Sequence, residues 1–92
     1  MRSFKDRATQ AVFKGENPGG IYSGMLKVAR RKLAMVDAAV KLNDLKSPPG
    51  NNLHELTDDR AGQHSIRVND QYRVCFVWSD DGVTDVEITD YH

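Results

Sequence analysis

The sequence predicts an α+β domain: two N-terminal helices packed on one face of a three- to four-stranded antiparallel sheet. Three observations carry that expectation. Apolar residues recur at helical spacing through the first half, most clearly from Met25 to Leu42. The pattern switches to a period of two at His64 and keeps it as far as Asp90. Turn-forming clusters, Asn17-Pro18-Gly19-Gly20, Ser47-Pro48-Pro49-Gly50 and Asp80-Asp81-Gly82, separate the runs. Helices first and strands afterwards is an α+β order, and 92 residues make one domain.

The composition is ordinary for a globular protein, at 39% apolar and 28% charged. No run approaches the roughly 18 consecutive apolar residues of a membrane span. Met1-Arg2-Ser3-Phe4-Lys5-Asp6 lacks the apolar core of a signal peptide. Cys75 is the single cysteine, so an internal disulfide is excluded and a cytoplasmic, reducing compartment is expected. Basic and acidic residues balance at 13 each, which excludes a global basic field as an argument for nucleic-acid binding. The charges are segregated, however. Lys27, Arg30, Arg31 and Lys32 cluster, whereas Asp80, Asp81, Asp85, Glu87 and Asp90 share the last strand region with no lysine or arginine.

Ser3 with Asp6 resembles a capping box, and Phe4, Ala8, Ala11 and Val12 follow at helical spacing. A short helix from about Lys5 to Lys14 is expected, stopped by Gly15, with an extended residue or two ahead of it adding an edge strand. The Asn17–Gly20 break lacks the Lys-Ser/Thr of a phosphate loop and reads as a linker. In the second helix, Leu26, Ala29, Leu33, Val36 and Val40 form one stripe, and Met25, Val28, Met35, Ala39 and Leu42 its neighbour. Ser23 is placed to cap its start. Asp37 and Lys41 are spaced as a supportive pair, and Asn43-Asp44 with Ser47-Pro48-Pro49-Gly50 end it.

Leu53-His54-Glu55-Leu56 reads as a short strand or extended segment, and Thr57–Gly62 as a turn. Strands follow at His64–Val68, Tyr72–Trp78 (the most apolar, hence central) and about Val83–Asp90. Face parity sets the pairing. A three-residue loop, Asn69-Asp70-Gln71, places Ile66 opposite Val74 and Arg67 opposite Arg73. A three-residue loop, Asp80-Asp81-Gly82, places Phe76 opposite Val86, Val74 opposite Ile88 and Arg73 opposite Thr89. One face then holds Ile66, Val74, Phe76, Val86 and Ile88 beneath the helices. The other holds Ser65, Arg67, Arg73, Cys75, Glu87 and Thr89, with Tyr91 diagonal to Arg73.

Directly opposed arginines cost roughly 0.2–1 kcal/mol. Either Glu87 neutralises one of them, or the pair awaits an anion, for which arginine forks match phosphate oxygens. RNA cleavage by its own 2′-hydroxyl needs a base, an acid and cations around the phosphorus. His54, Arg67, Arg73, Tyr91 and His92 supply those types. Each has a plainer reading: His54 as a packed or surface residue, Tyr91 and His92 as strand-end residues. In a regular strand Tyr91 and His92 face opposite ways, so they share a site only if the strand bends near Asp90. His64 reads as structural and Cys75 as a buried, inert thiol. The three histidines lack the spacing of a helical zinc pair, and no metal is expected.

Arg31–Ala39, Ser47-Pro48-Pro49-Gly50-Asn51, Ala61–Phe76 and Val86-Glu87-Ile88-Thr89-Asp90-Tyr91-His92 together resemble the HigB-type toxins of bacterial type II toxin–antitoxin systems, in the RelE superfamily. The resemblance spans essentially the whole chain. It implies a fold like that of small microbial ribonucleases. It implies an endoribonuclease that cuts messenger RNA in the ribosomal A site without metal or cofactor, through a 2′,3′-cyclic phosphate. The implied partner is a HigA-type helix-turn-helix antitoxin, with operator DNA reached only through it. His54, Arg73, Asp90, Tyr91 and His92 match the family's active-site motif. Some members carry a lysine shortly after the histidine where this chain has Thr57, and Arg67 or Arg60 is placed to supply phosphate-binding charge instead. The alternative is a toxin-like module without catalysis that binds its antitoxin and modulates transcription.

Overall fold

The computed structural model describes residues 1–90, along which helices α1 (Arg7–Phe13) and α2 (Leu26–Ala38) precede four strands. These are β1 (His54–Glu55), β2 (His64–Arg67), β3 (Tyr72–Ser79) and β4 (Gly82–Asp90). They form an antiparallel sheet in the order β1-β2-β3-β4, with the helices against one face. Val12, Leu33 and Val36 from the helices meet Ile66, Val74, Phe76 and Val86 from the strands, all fully buried. The expected α+β architecture is the one observed.

The expected extra edge strand is a short one. Phe4 bridges Val86 in parallel, and Arg2 and Lys5 N–H donate to the carbonyls of Val83 and Val86 at 2.7 and 2.9 Å. Ser3 is therefore a sheet residue rather than part of a capping box: its Oγ accepts from Asp85 N–H at 2.9 Å. The helix cap is Asp6, which accepts from Thr9 N–H at 2.7 Å. Thr9 Oγ1 in turn accepts from the buried Ile88 N–H at 2.9 Å, so α1 itself closes the outer ladder of β4.

α2 stops earlier than its apolar stripe suggests. Asp44 accepts from both Val40 and Lys41 N–H at 3.0 Å, and those bonds hold its carboxyl below the usual range. The chain turns away after Ala38, leaving Val40 83% exposed. A short polar side chain has outcompeted continued helix for those amides. The Asp37–Lys41 pair consequently does not form; Asp37 instead meets the Met1 amino group at 2.7 Å. Ser23 lies in the turn before α2, whose start has no side-chain cap.

Between β2 and β3 the register is the one expected, with Ile66 opposite Val74 and Arg67 opposite Arg73. Between β3 and β4 the far end is as expected, with Val74 opposite Ile88 and Arg73 opposite Thr89. The turn is not. Ser79 pairs with Gly82 across a two-residue turn, Asp80-Asp81, and the register shifts between Cys75 and Val77. Phe76 therefore faces a bulge at Asp85 and Val86, where Asp85 is left-handed (φ 54°). The bulge has a physical reason. Val83 and Val86 are three apart, so strict alternation would expose one of them; with the extra residue both are buried. Gly82 is required at φ 129°, and a Cβ there would lie 2.8 Å from the Arg2 side chain.

Replacing Thr9 with Val removes the acceptor for Ile88 N–H while keeping the side-chain shape. A loss of about 1–3 kcal/mol is expected in urea denaturation. Val40→Ser, on a residue outside the helix, is expected to change stability by less than about 0.5 kcal/mol.

Candidate active site

Register decides which side chains share the face that the helices leave open. His54 pairs with Ser65, Ser65 with Cys75, and Cys75 with Glu87, making one row across the sheet. Arg67, Arg73 and Thr89 make the next. Directly paired residues point to the same side. The sequence-predicted His54, Arg67 and Arg73 are thus gathered on one face. Asp90 pairs with Tyr72 and continues the alternation of Val86 and Ile88, which puts it on the opposite side of the strand from Thr89. Its Oδ2 accepts from Gln71 Nε2 at 3.1 Å. Tyr91 and His92, and with them the question of whether they share a site, lie outside the described residues.

Ser65 and Asn52 are among the groups that hold Arg73. Its Nε donates to Ser65 Oγ at 2.7 Å and its Nη2 to the Asn52 carbonyl at 2.6 Å. Ser65 is fully buried, so the first anchor is rigid. Asn52 is left-handed (φ 49°), a conformation that asparagine tolerates far better than branched residues. Arg67 Nη2 donates to Asp70 Oδ1, but Asp70 is fully exposed and such pairs contribute little. Glu87 does not neutralise the arginine pair. It accepts from Arg60 at 3.0 Å, with Lys5 at 3.9 Å. Arg60 is therefore engaged by Glu87 and, at 3.2 Å, by Gln63.

Cys75 is fully buried beneath this face, and burial pushes its thiol up, as expected for an inert cysteine. His64 lies on the helix side, stacked on Phe76 at 6.4 Å, with a buried Nδ1 that meets no partner among the described residues. It borders an open pocket of about 420 Å³ with Leu42, Lys46, Leu53 and Glu55, across β1 from His54. Among the described residues no three His, Cys, Asp or Glu side chains stand close enough to share a metal ion, and no helix is long and apolar enough to cross a membrane.

Two polar residues behind the site escaped the sequence reading. Lys32 is only 6% exposed and donates to Asn51 Oδ1; Asn51 is fully buried. Burial lowers the Lys32 ammonium's pKa, with Arg31 and Arg67 adding to the effect. The signal was present in the spacing: Lys32 sits between Val28 and Met35 on an apolar stripe.

A model of the HigB-like toxins, described as the RelE-like toxin of the type II toxin–antitoxin system HigB, matches residues 2–92. The chain belongs to the HigB-like toxin family. It is 37% identical over 78 residues to Toxin HigB-1 of Vibrio cholerae, covering 84% of this chain and 82% of that protein. It is 39% identical over 72 residues to an uncharacterized protein of Haemophilus influenzae, covering 78% of this chain and 71% of that one. Two structures of YoeB–YefM complexes from Staphylococcus aureus have a TM-score of 0.60 to this HigB-like chain, at 20% and 18% identity, each covering 98% of it and 93% of theirs. The fold is RelE-like.

Because the Cys75 thiol is raised in the folded state, the stability it contributes is present below its ordinary range, about 8.5, and is lost as pH rises through the folded value. Stability measured from about pH 8 to pH 10 is expected to fall less steeply in Cys75→Ala than in the native chain. Native Cys75 is also expected to resist alkylation until denaturant is added.

Proposed function

We propose that this HigB-like toxin is an endoribonuclease that cuts messenger RNA in the ribosomal A site and is held inactive by an antitoxin. The observation that carries the reading is the gathering of His54, Arg67 and Arg73 on the helix-free face, with Arg73 fixed by Ser65 and Asn52. In the proposed reaction the 2′-oxygen attacks the adjacent phosphorus as its proton passes to a base. The 5′-oxygen leaves with a proton from an acid, giving a 2′,3′-cyclic phosphate and a 5′-hydroxyl. Histidine suits either proton transfer near neutral pH, and His54 and His92 are the candidates. Tyrosine's ordinary pKa near 10 makes Tyr91 better suited to orienting or stacking on a base. Arg73, with Arg67 beside it, would stabilise the charge that builds on the phosphorane oxygens.

An antitoxin partner is supported by the family and by structural relatives solved as YoeB–YefM complexes. A HigA-type helix-turn-helix antitoxin, reaching operator DNA on the toxin's behalf, is part of the same proposal. Arg60 contributes less to phosphate binding than Arg67 in this reading, because Glu87 already occupies it.

Purified protein incubated with programmed ribosomes is expected to cut the messenger, with the ends mapped by primer extension. Arg73→Ala is expected to lower the rate by about 10²–10³-fold. His54→Ala is expected to lower it by about 10²–10⁴-fold, with the fold intact by circular dichroism. An uncut messenger would favour the module that binds its antitoxin without catalysis, and variants that cut like the native protein would overturn the roles given to Arg73 and His54.

A further inference from the structure

The loop between α2 and β1 carries a polar node that lies behind the arginine site rather than in it. Asn51 accepts from Lys32 Nζ, and its Nδ2 donates to the carbonyls of Leu45 and Ser47 at 3.2 and 3.3 Å. A single buried amide thus ties α2 to two points of the loop. The following residue, Asn52, closes a short turn by donating its N–H to the Pro49 carbonyl at 3.0 Å. Its own carbonyl accepts from Arg73 Nη2 at 2.6 Å. The connection runs unbroken: Lys32 to Asn51, across one peptide bond to Asn52, and on to the guanidinium.

Core packing alone does not account for this arrangement. Burying an ammonium is costly, and apolar residues of similar volume in place of a buried polar pair are often neutral or stabilising. Apolar residues would fill the space without fixing where the loop carbonyls point. Hydrogen bonds do fix it, because each has a narrow range of distance and angle. Arg73 needs such fixing, since a guanidinium aimed at a transition state acts only if its fork is already aligned.

We propose that Asn51, anchored by Lys32, is a positioning residue for Arg73, setting the Asn52 carbonyl that aligns the guanidinium toward the scissile phosphate. The catalytic consequence rests on the nuclease reading above; the alignment itself does not.

The test uses Lys32→Met/Asn51→Leu, which exchanges the pair for apolar groups of similar size. The double variant is expected to melt near the native temperature. Its kcat on programmed ribosomes is expected to fall by about 10²-fold with KM unchanged. The Arg73 Nε–H signal in nuclear magnetic resonance, protected by Ser65 in the native chain, is expected to exchange faster with solvent. A purely structural role would move neither kcat nor that signal in a folded variant, so either one left at its native value overturns the inference. Asn51→Asp keeps the acceptor for Lys32 but loses the donors to Leu45 and Ser47. It is expected to show a smaller change in both readouts, and it decides by the same criterion if the double variant does not fold. Should the native protein leave the messenger uncut, the nuclease reading falls and Nε–H exchange alone decides: faster exchange upholds the alignment, unchanged exchange overturns it.

Discussion

Alternation along β3 is the constraint from which the rest follows. Val74 and Phe76 are fully buried against the helices, and Arg73 therefore points the other way. A slip by one residue would take Phe76 off the helix-covered face and drive a guanidinium into the core, at a cost above the roughly 2–7 kcal/mol of burying an unpaired polar group. Against that cost the repulsion between directly opposed arginines, roughly 0.2–1 kcal/mol, is small. The core thus imposes the meeting of Arg67 and Arg73. Ser65 and Asn52 then decide the orientation in which Arg73 is held.

Parity made much of the sheet legible in the sequence. The β2–β3 register followed from requiring Ile66 and Val74 on one face, and that requirement alone brings Arg67 and Arg73 together. The same reasoning misplaced the β3–β4 turn by one residue, yet gave the right partners for Val74 and Arg73 because the bulge at Asp85 restores the register. The odd spacing of Val83 and Val86 was the readable sign of that bulge. The end of α2 was less readable, because Val40 and Leu42 continue the stripe and only the Asp44 side chain interrupts the helix. Lys32 and Asn51 were missed for a different reason. Reading a pattern by its apolar positions passes over a polar residue that is buried because it has a specific partner.

Zero net charge says little about the surface that a phosphate would meet. Screening limits exposed charges to about 10 Å at 0.1 M salt, so local arrangement outweighs the total. On the open face Glu87 is occupied by Arg60 and Lys5, and the Arg67 carboxylate partner is the fully exposed Asp70 at its rim. The balance of 13 against 13 thus hides a segregated surface, with Arg67 and Arg73 in one row and Glu87 engaged beside it.

The outer ladder of β4 is closed by the opening residues of the same chain. Asp85 and Ile88 donate to Ser3 and Thr9 across separations of 82 and 79 residues. Contacts so distant in sequence slow folding, because the loop must close before they form. During synthesis at about 5–20 residues per second, the segment around α1 would wait roughly 4–16 s for its strand to be made. A product halted before Val83 holds α1, α2 and most of the sheet, yet has no edge on which Phe4 and Thr9 can settle. Closure of this edge thus waits until β4 itself has been made.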